Sequence, residues 1–382
     1  MKKEKLNVLM VNYEFPPIGG GGGTTTRFLA KYLVKLGVNV IVVTAKPILQ
    51  NTYEHPDGFK LLYVGPLKKK QTTTPDLIHC FFAIPSGCFG LYCKKKFNIP
   101  YITSVLGADV PGFNIGDKRL NLYHVITKSL SRAVWNNSDY VIANSPALQA
   151  ICKQFSSHQD IKVITNGVDS DVFYPKSNNL ANSTTNDIQL LFVSRLTLQK
   201  GIWTLIKACG ILNQRGITNY KLTVVGEGHL KDEMFSLIDE YKIRDKVNFL
   251  GWKKLEELPD IYRSADIFIL PSAMEGMASV TLQAIASGLP IIVSRVAGNE
   301  DVLEEGYNGL SAQYNNPLDF ADAIEKLIKQ PELRKKMSRN SIEKSKQFTW
   351  ESIAKKYLEL YEKSVYGPRH CEEQICCDEA IS

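Results

Sequence analysis

Residues 271–292, PSAMEGMASVTLQAIASGLPII, decide the predicted fold. From Val280 the apolar positions recur at helical spacing, and Gly288 and Pro290 then end the helix. Short apolar runs at 266–270 and 291–293 predict buried strands on either side of it. Strand, loop, helix and strand in this order are typical of an α/β protein with a parallel sheet.

Glu275 lies in the loop between the predicted strand and helix, where open parallel sheets bind their ligands. The start of the helix supplies N–H groups and a positive dipole end for an anion such as a diphosphate. Gln283 follows about two helical turns later. A loop acid and a solvated glutamine are also ordinary features of α/β proteins, so the residues alone leave both interpretations open.

This stretch resembles the nucleotide-sugar site of the retaining family 4 glycosyltransferases, which have the GT-B fold. Their signature is two Glu residues separated by seven others. In this chain the first of the two positions lies in the pair Glu275-Gly276, the predicted helix follows, and Gly288-Leu289-Pro290 ends it. In that family the first Glu contacts the donor sugar, and the second contacts the ribose. Glu275 matches the first, whereas Gln283 stands at the second and hydrogen-bonds without a charge. The resemblance implies further donor contacts at Gly276, Met277, Ala278 and Ser279.

The glycine run Gly19–Gly23 follows the first predicted strand, and a helix is expected from about residue 27. No register of the run gives the dinucleotide motif G-x-G-x-x-G, so a flexible turn is one interpretation. The form PPIGGGG resembles the corresponding family loop, which implies donor binding by Gly20 and Gly21. Many family members have His-Gly-x-Asp after a later strand, where this chain has Leu106 and Asp109. Asp109 is a candidate donor contact, or only a capping residue.

The second half repeats the α/β pattern after a polar segment, 177–187, that is predicted to be a linker. Arg195 and Lys200 follow its first predicted strand in the string VSRLTLQKG. Two cations there would neutralise a diphosphate, although a surface cation pair is the other interpretation. The string resembles the family's diphosphate site, which favours the first. The resemblance also implies that Gly226 and Trp252 contact the donor.

The resemblance covers residues 6–365 and implies two Rossmann-like α/β domains with a cleft between them. The expected bounds are 1–175 for the acceptor-side domain and 188–346 for the nucleotide-sugar domain. A helix at 347–365 is expected to cross back to the first domain, and 366–382 is expected to be a disordered tail.

Composition is ordinary for a protein of two domains: 382 residues, 44% hydrophobic and 22% charged. No apolar run is long enough to span a bilayer, and residues 6–11 are too short and polar for a secretion signal, so a cytoplasmic location is expected. The eight cysteines do not form a disulfide framework. His370 and the cysteines at 371, 376 and 377 are an alternative metal site, but their spacing matches no standard zinc motif. No metal, cofactor or nucleic-acid partner is predicted.

Charge is unevenly distributed, because residues 1–172 carry +9 and the remainder carries −2. A basic half predicts contact with an anionic surface such as the inner face of a membrane, although a solvated basic face gives the same pattern. The candidate contacts are Lys68–Lys70, Lys94–Lys96 and residues 118–135. The last segment is amphipathic and would suit a membrane surface, but the favoured interpretation is that its apolar stripe is core.

The implied function is a retaining, metal-independent glycosyltransferase, with Arg195, Lys200 and Glu275 as catalytic residues. It would move a sugar from a UDP- or GDP-linked donor to a hydroxyl of a carbohydrate or lipid-linked acceptor, in polysaccharide or glycolipid synthesis. A GT-B epimerase, acting on the donor alone, is one alternative. A catalytically weakened GT-B binding protein is another, which Leu106 and Gln283 favour.

Overall fold

The computed structural model describes residues 5–16, 20–45, 53–64, 74–107, 109–113, 118–157, 160–176 and 187–367. The chain divides into two compact units, Met1–Asn166 with Trp350–Ser382, and Gly167–Thr349. Each unit is built on a largely parallel sheet, as the α/β, Rossmann-like prediction requires. The predicted contact at Lys68–Lys70, most of the linker, and the tail with its cysteines lie outside the described residues.

The first unit contains an eight-stranded sheet in the order β3-β4-β2-β1-β5-β6-β7-β8. Its strands are β1 Asn7–Val11, β2 Asn39–Ala45, β3 Tyr53–Glu54, β4 Lys60–Val64, β5 Leu77–Phe81, β6 Tyr101–Val105, β7 Tyr140–Ala143 and β8 Ile161–Val163. Its helices are α1 Gly21–Lys35, α2 Cys88–Phe97, α3 Lys118–Asn137, α4 Pro146–Phe155 and the C-terminal α11 Trp350–Tyr366. All neighbouring strands run parallel except β3 with β4.

The second unit contains a fully parallel six-stranded sheet in the order β11-β10-β9-β12-β13-β14. Its strands are β9 Ile188–Val193, β10 Tyr220–Val225, β11 Val247–Gly251, β12 Ile267–Leu270, β13 Ile291–Ser294 and β14 Gly309–Ala312. Its helices are α5 Ile202–Gln214, α6 Lys231–Glu240, α7 Leu258–Arg263, α8 Ser279–Ala286, α9 Pro317–Lys329 and α10 Pro331–Ser345. Strands β12 and β13 are buried at every residue, as continuous apolar runs predict for a covered parallel sheet.

Helix α11 is anchored in the first unit, so the predicted return of the C-terminal helix to the first domain is confirmed. His79 of β5 hydrogen-bonds the Tyr361 hydroxyl through Nδ1 at 2.7 Å and Ser104 Oγ through Nε2 at 2.8 Å. All three side chains are buried. Burial lowers the pKa of His79 to about 3, so the imidazole is neutral near pH 7.

Residues 167–175, which the sequence assigns to the first domain, pack with the second unit. The Val168 N–H donates to the Phe348 carbonyl at 2.7 Å. The Phe173 ring meets Tyr262 edge-on at 5.6 Å and belongs to the second unit's apolar core. The hydrogen bond and the aromatic contact attach the segment to the second unit ahead of the predicted boundary.

Helix α1 begins at Gly21 rather than near residue 27, so most of the glycine run is helical. A Cβ atom on Gly23 would lie 1.8 Å from the Glu14 carbonyl oxygen. Asn12 Nδ2 also donates to the Gly22 carbonyl at 3.1 Å. The glycines therefore let the first helical turn pack directly against the turn after β1, instead of forming a loose loop.

Most of the apolar stripe of α3 is exposed, which corrects the interpretation of the stripe as core. The large apolar side chains that α3 exposes are Leu122, Tyr123, Val125, Ile126 and Leu130. The buried side chains of α3 are His124, Ser131, Val134 and Trp135, so the C-terminal end of the predicted stripe, Val134 and Trp135, is core as expected. None of the described helices combines the length and the apolar character that crossing a bilayer requires.

Candidate active site

The predicted site residues of the second unit follow the carboxyl ends of neighbouring parallel strands. Arg195 follows β9, Gly226 follows β10, Trp252 follows β11 and Glu275 follows β12. Because β10, β9 and β12 are adjacent in the sheet, their loops meet along one edge. This is the edge at which parallel α/β sheets bind ligands, and it is called the carboxyl edge below.

The loops after β9 and β12 are joined by close backbone contacts. The Ala273 N–H donates to the Gln199 carbonyl at 2.7 Å, and Gln199 Nε2 donates to the Met274 carbonyl at 3.2 Å. Gly201 has φ +69°, and a Cβ atom there would lie 2.0 Å from the Pro271 carbonyl oxygen. Only glycine allows both this backbone angle and this close approach. The contacts hold residues 199–201 against 271–274.

Lys200 and Glu275 form an ion pair across these two loops. Lys200 Nζ lies 2.6 Å from Glu275 Oε1 and 2.9 Å from Oε2, so both carboxylate oxygens accept from one ammonium group. The side chains are only 14% and 7% exposed. The structure therefore joins two of the three predicted catalytic residues, and it does so in a site with little water to screen the charges.

Arg195 is exposed at the same edge and makes no ion pair within the described part of the chain. The guanidinium therefore has its five N–H donors available for an anion. An Arg and a Lys on one loop provide two positive charges that suit a diphosphate.

The loop after Glu275 leads directly into α8. Gly276, Met277 and Ala278 are buried, and Ser279 is the first helical residue. No side chain caps this helix and its first turn has no acid, so its N-terminal dipole is not neutralised locally. A Cβ atom on Gly298, in the loop after β13, would lie 2.1 Å from the Glu275 carbonyl oxygen. The loops after β12 and β13 therefore pack backbone to backbone.

Gln283 is buried in α8 and contacts Tyr262. The Tyr262 hydroxyl lies 3.1 Å from Gln283 Oε1 and 3.1 Å from the Val280 carbonyl oxygen. The amide nitrogen of Gln283 has no hydrogen-bond partner among the described residues. Gln283 is therefore held by a specific contact, unlike a solvated helix glutamine.

Gly226 and Trp252 shape the other end of the carboxyl edge. Gly226 has φ +133°, and a Cβ atom there would lie 1.9 Å from the Ser194 carbonyl oxygen, so glycine is required. Its N–H donates to the Gly251 carbonyl at 2.8 Å, which joins the loops after β10 and β11. Trp252 follows and is 66% exposed, so its indole is available to stack on a planar ligand group.

Four buried polar atoms at this edge were missed by the sequence reasoning. Thr197 Oγ1, Ser272 Oγ, Ser294 Oγ and Asn299 Oδ1 have no hydrogen-bond partner among the described residues. They lie at or just after the carboxyl ends of β9, β12 and β13, so the rule that identified Arg195 would have identified them as well. Buried polar atoms are seldom left unpaired, which favours a polar ligand at this edge.

The predicted site residues of the first unit lie at the carboxyl ends of its own strands. Gly20 and Gly21 have open space where a Cβ atom would stand, so a ligand can approach the backbone there. Asp109 Oδ1 accepts from the N–H groups of Leu106 and Gly107 at 3.0 and 3.1 Å, whereas Oδ2 is buried without a partner in the described chain. Burial raises the pKa of Asp109 to about 6, with a smaller contribution from Glu14. Asp109 thus caps its own turn, and its donor contact stays a prediction.

Among the described residues, no group of three His, Cys, Asp or Glu side chains is arranged to hold a metal ion. Among the predicted site residues of the second unit, Arg195, Lys200 and Glu275 carry the charges at the carboxyl edge.

Comparison with known proteins relates both units to one family. Residues 19–172 match the family described as Glycosyltransferase Family 4, and residues 176–344 match Glycosyl transferases group 1. A D-inositol 3-phosphate glycosyltransferase of Paenarthrobacter aurescens is 30% identical over 93% of this chain and 96% of its own length.

Two solved structures have similar folds. The sucrose-phosphate synthase of Thermosynechococcus elongatus superimposes with a TM-score of 0.80, at 23% identity, over 94% of this chain and 99% of that one. Anabaena HepE, solved with UDP and glucose, gives 0.76 at 17% identity over 93% and 99%. The chain therefore belongs to the family 4 glycosyltransferases of glycosyl transferases group 1, and its two units have the GT-B type of fold.

Proposed function

We propose that this glycosyltransferase moves a hexosyl group from a UDP- or GDP-linked donor to an acceptor hydroxyl, with retention of anomeric configuration. The observation that carries the proposal is the Lys200–Glu275 pair at the carboxyl edge, in which Lys200 lies on the same loop as the exposed Arg195. A cation pair suits the diphosphate, and a carboxylate suits the hydroxyls of the sugar.

In the proposed reaction the bond between the anomeric carbon and the diphosphate oxygen breaks. The bond to the acceptor oxygen forms on the same face of the sugar, and the acceptor proton passes to the departing phosphate. Negative charge then grows on the diphosphate, where Arg195 and Lys200 stabilise it. These two cations supply the positive charge, so we propose transfer without a metal ion. Glu275 orients the sugar, while N–H groups at the start of α8 bind the phosphates.

Uridine nucleotides are the first donors to try. Anabaena HepE, which has a similar fold, was solved with UDP and glucose. The exposed Trp252 offers a surface on which a base would stack, but stacking does not distinguish uracil from guanine. GDP-linked sugars should therefore be tested as donors alongside UDP-linked sugars.

The test is product analysis by NMR with α-linked UDP- and GDP-hexoses, with and without acceptor. Transfer with retention gives an α-linked product that forms only when acceptor is present. A β-linked product contradicts retention. A changed sugar nucleotide without acceptor would indicate the epimerase. Donor binding without any turnover would indicate the weakened binding protein.

We also propose that the protein works in the cytoplasm at the inner face of a membrane, on a carbohydrate or lipid-linked acceptor. Helices α2 and α3 pack against each other and contain no Asp or Glu. The α2–α3 surface is defined here by their exposed large apolar side chains, which are Phe89, Tyr92, Phe97, Leu122, Tyr123, Val125, Ile126 and Leu130. Lys95, Lys96 and Lys128 are exposed on the same helices. Apolar side chains bordered by cations suit an anionic bilayer surface.

Co-sedimentation with phosphatidylcholine vesicles, with or without phosphatidylglycerol, tests this membrane contact. We expect binding only to the anionic vesicles. It should weaken with salt, because the Debye length falls from about 10 Å at 0.1 M to about 3 Å at 1 M. Val125→Ser with Ile126→Ser should reduce binding, whereas Leu318→Ser, at an exposed leucine of α9, should not. If the wild type ignores anionic vesicles at low salt, a soluble acceptor becomes the better hypothesis.

A further inference from the structure

Tyr262 is a fully buried residue of α7 that lies beside Gln283. Its ring packs edge-on to Phe173 at 5.6 Å and against Phe268 at 6.0 Å, so these aromatic contacts fix the direction of its hydroxyl. Burial raises the pKa of Tyr262 well above its usual value, so the phenol keeps its proton.

The phenol oxygen has two acceptors within reach but only one proton to donate. The Val280 carbonyl oxygen and Gln283 Oε1 each lie 3.1 Å from it. A single O–H group cannot point at both with full strength. In this arrangement the amide nitrogen of Gln283 points away from Tyr262 and has no partner among the described residues.

A half-turn of the Gln283 amide about its last side-chain bond exchanges Oε1 and Nε2. Nε2 then donates to the phenol oxygen, and the phenol proton goes entirely to the Val280 carbonyl. The hydrogen bonds around Tyr262 are then all complete, and Oε1 points away from Tyr262 as an available acceptor. A carboxylate at position 283 presents an acceptor in either orientation, whereas a glutamine presents one only in this orientation.

We propose that Tyr262 is a positioning residue that holds Gln283 in this second orientation when a nucleotide is bound. The amide oxygen then accepts a hydrogen bond from a ribose hydroxyl. The inference rests on the proposed function, because it assumes a nucleoside diphosphate at the carboxyl edge. It explains how a chain with glutamine at this position retains an acceptor for the ribose.

The test is calorimetric binding of UDP and GDP and of their 2′-deoxy and 3′-deoxy analogues. The wild type should prefer the ribose form over one deoxy form by about three- to tenfold, the value of one neutral hydrogen bond. Tyr262→Phe should bring this ratio close to one, because the amide loses its orienting partner. In a Gln283→Glu background, Tyr262→Phe should leave the ratio unchanged, because a carboxylate accepts in either orientation.

The ratio is measured within one protein, so general destabilisation by the lost hydroxyl does not change it. Tyr220→Phe is the matched control, since Tyr220 is equally buried in the same unit and donates to the Cys209 carbonyl at 2.9 Å. This control should retain the wild-type ratio. The inference is overturned if Tyr262→Phe leaves the ratio unchanged. It is also overturned if Tyr262→Phe lowers the ratio by the same factor in the Gln283→Glu background. If the wild type binds none of these nucleotides, the proposed function fails, and the inference fails with it.

Discussion

Lys200 and Glu275, 75 residues apart in the chain, form a two-point ion pair at 2.6 and 2.9 Å with little exposure to solvent. Removing one member of such a pair leaves the other charge without compensation in a poorly hydrated site. The pair therefore connects stability with the proposed chemistry, because the same two groups would bind the diphosphate and the sugar.

The first prediction is that Lys200→Met lowers the free energy of unfolding by about 3 kcal/mol, the low end of the range for buried pairs. Glu275→Gln should cost less, because the amide still accepts from the ammonium group. Denaturant unfolding measures both. Lys329→Met is the control, since Lys329 pairs with Glu325 at 2.6 Å but is 63% exposed, and it should change little. An equal loss of unfolding free energy in Lys200→Met and Lys329→Met would show that the Lys200 pair contributes no more to stability than an exposed pair.

The second prediction is that Arg195→Ala lowers kcat by roughly 30- to 1000-fold, the value of one group that stabilises developing charge. Stability should be retained, because Arg195 is exposed and unpaired within the described residues. Arg195→Lys should recover part of the rate, since it restores the charge without the planar fork. Steady-state kinetics and thermal unfolding on the same samples separate the two effects. Wild-type turnover by Arg195→Ala would remove this residue from the mechanism.

The third prediction concerns the contact of Gly298 with the Glu275 loop. Gly298→Ala would place a Cβ atom 2.1 Å from the Glu275 carbonyl oxygen at φ +85°, so the loop must move. We expect kcat/KM to fall by at least about tenfold. Gly306→Ala is matched in backbone angle, at φ +74°, but has open space around it, so it should affect stability alone. Similar kinetics for the two variants would mean that the loop position does not matter.

The fourth prediction is a pH dependence of stability from His79. Its folded pKa of about 3 is below the ordinary 6.5, so the unfolded chain binds more protons between these values. Stability should therefore decrease as pH falls below about 6.5, by up to about 1.4 kcal/mol for each pH unit from this group, until about pH 3. His79→Gln has no titrating group at this position. The difference in the free energy of unfolding between the wild type and His79→Gln should therefore become smaller as the pH falls. Parallel curves for the two proteins from pH 7 to about pH 5 would contradict the assignment.

The sequence alone was sufficient to predict the strands that position the candidate site. Continuous apolar runs such as 190–193 and 267–270 predict buried parallel strands, and their carboxyl ends locate Arg195 and Glu275. The contact of Glu275 with Lys200 was not predictable, because it depends on how closely Gly201 approaches Pro271. No local pattern reports the separation of two loops that are distant in the chain.

Helix α3 shows a second limit of sequence patterns. Its periodicity correctly finds an apolar stripe, but periodicity does not report whether another element covers that stripe. The structure buries the C-terminal end of the stripe, at Val134 and Trp135, and leaves Leu122 and Ile126 exposed. Similarly, the glycine run looks like a loop by composition, yet Gly21, Gly22 and Gly23 are helical, and Gly23 packs closely on the Glu14 carbonyl.

The main claim can be tested by measuring the release of nucleoside diphosphate from a panel of UDP- and GDP-hexoses. Wild type and Lys200→Met are compared at equal folded concentration. The claim is that the carboxyl edge of the second unit binds and cleaves a nucleotide sugar through Arg195, Lys200 and Glu275. We expect that the wild type cleaves at least one donor, and that Lys200→Met does so at least about 30-fold more slowly. Equal rates for the two proteins, or a folded wild type that neither binds nor cleaves any donor in the panel, would contradict it.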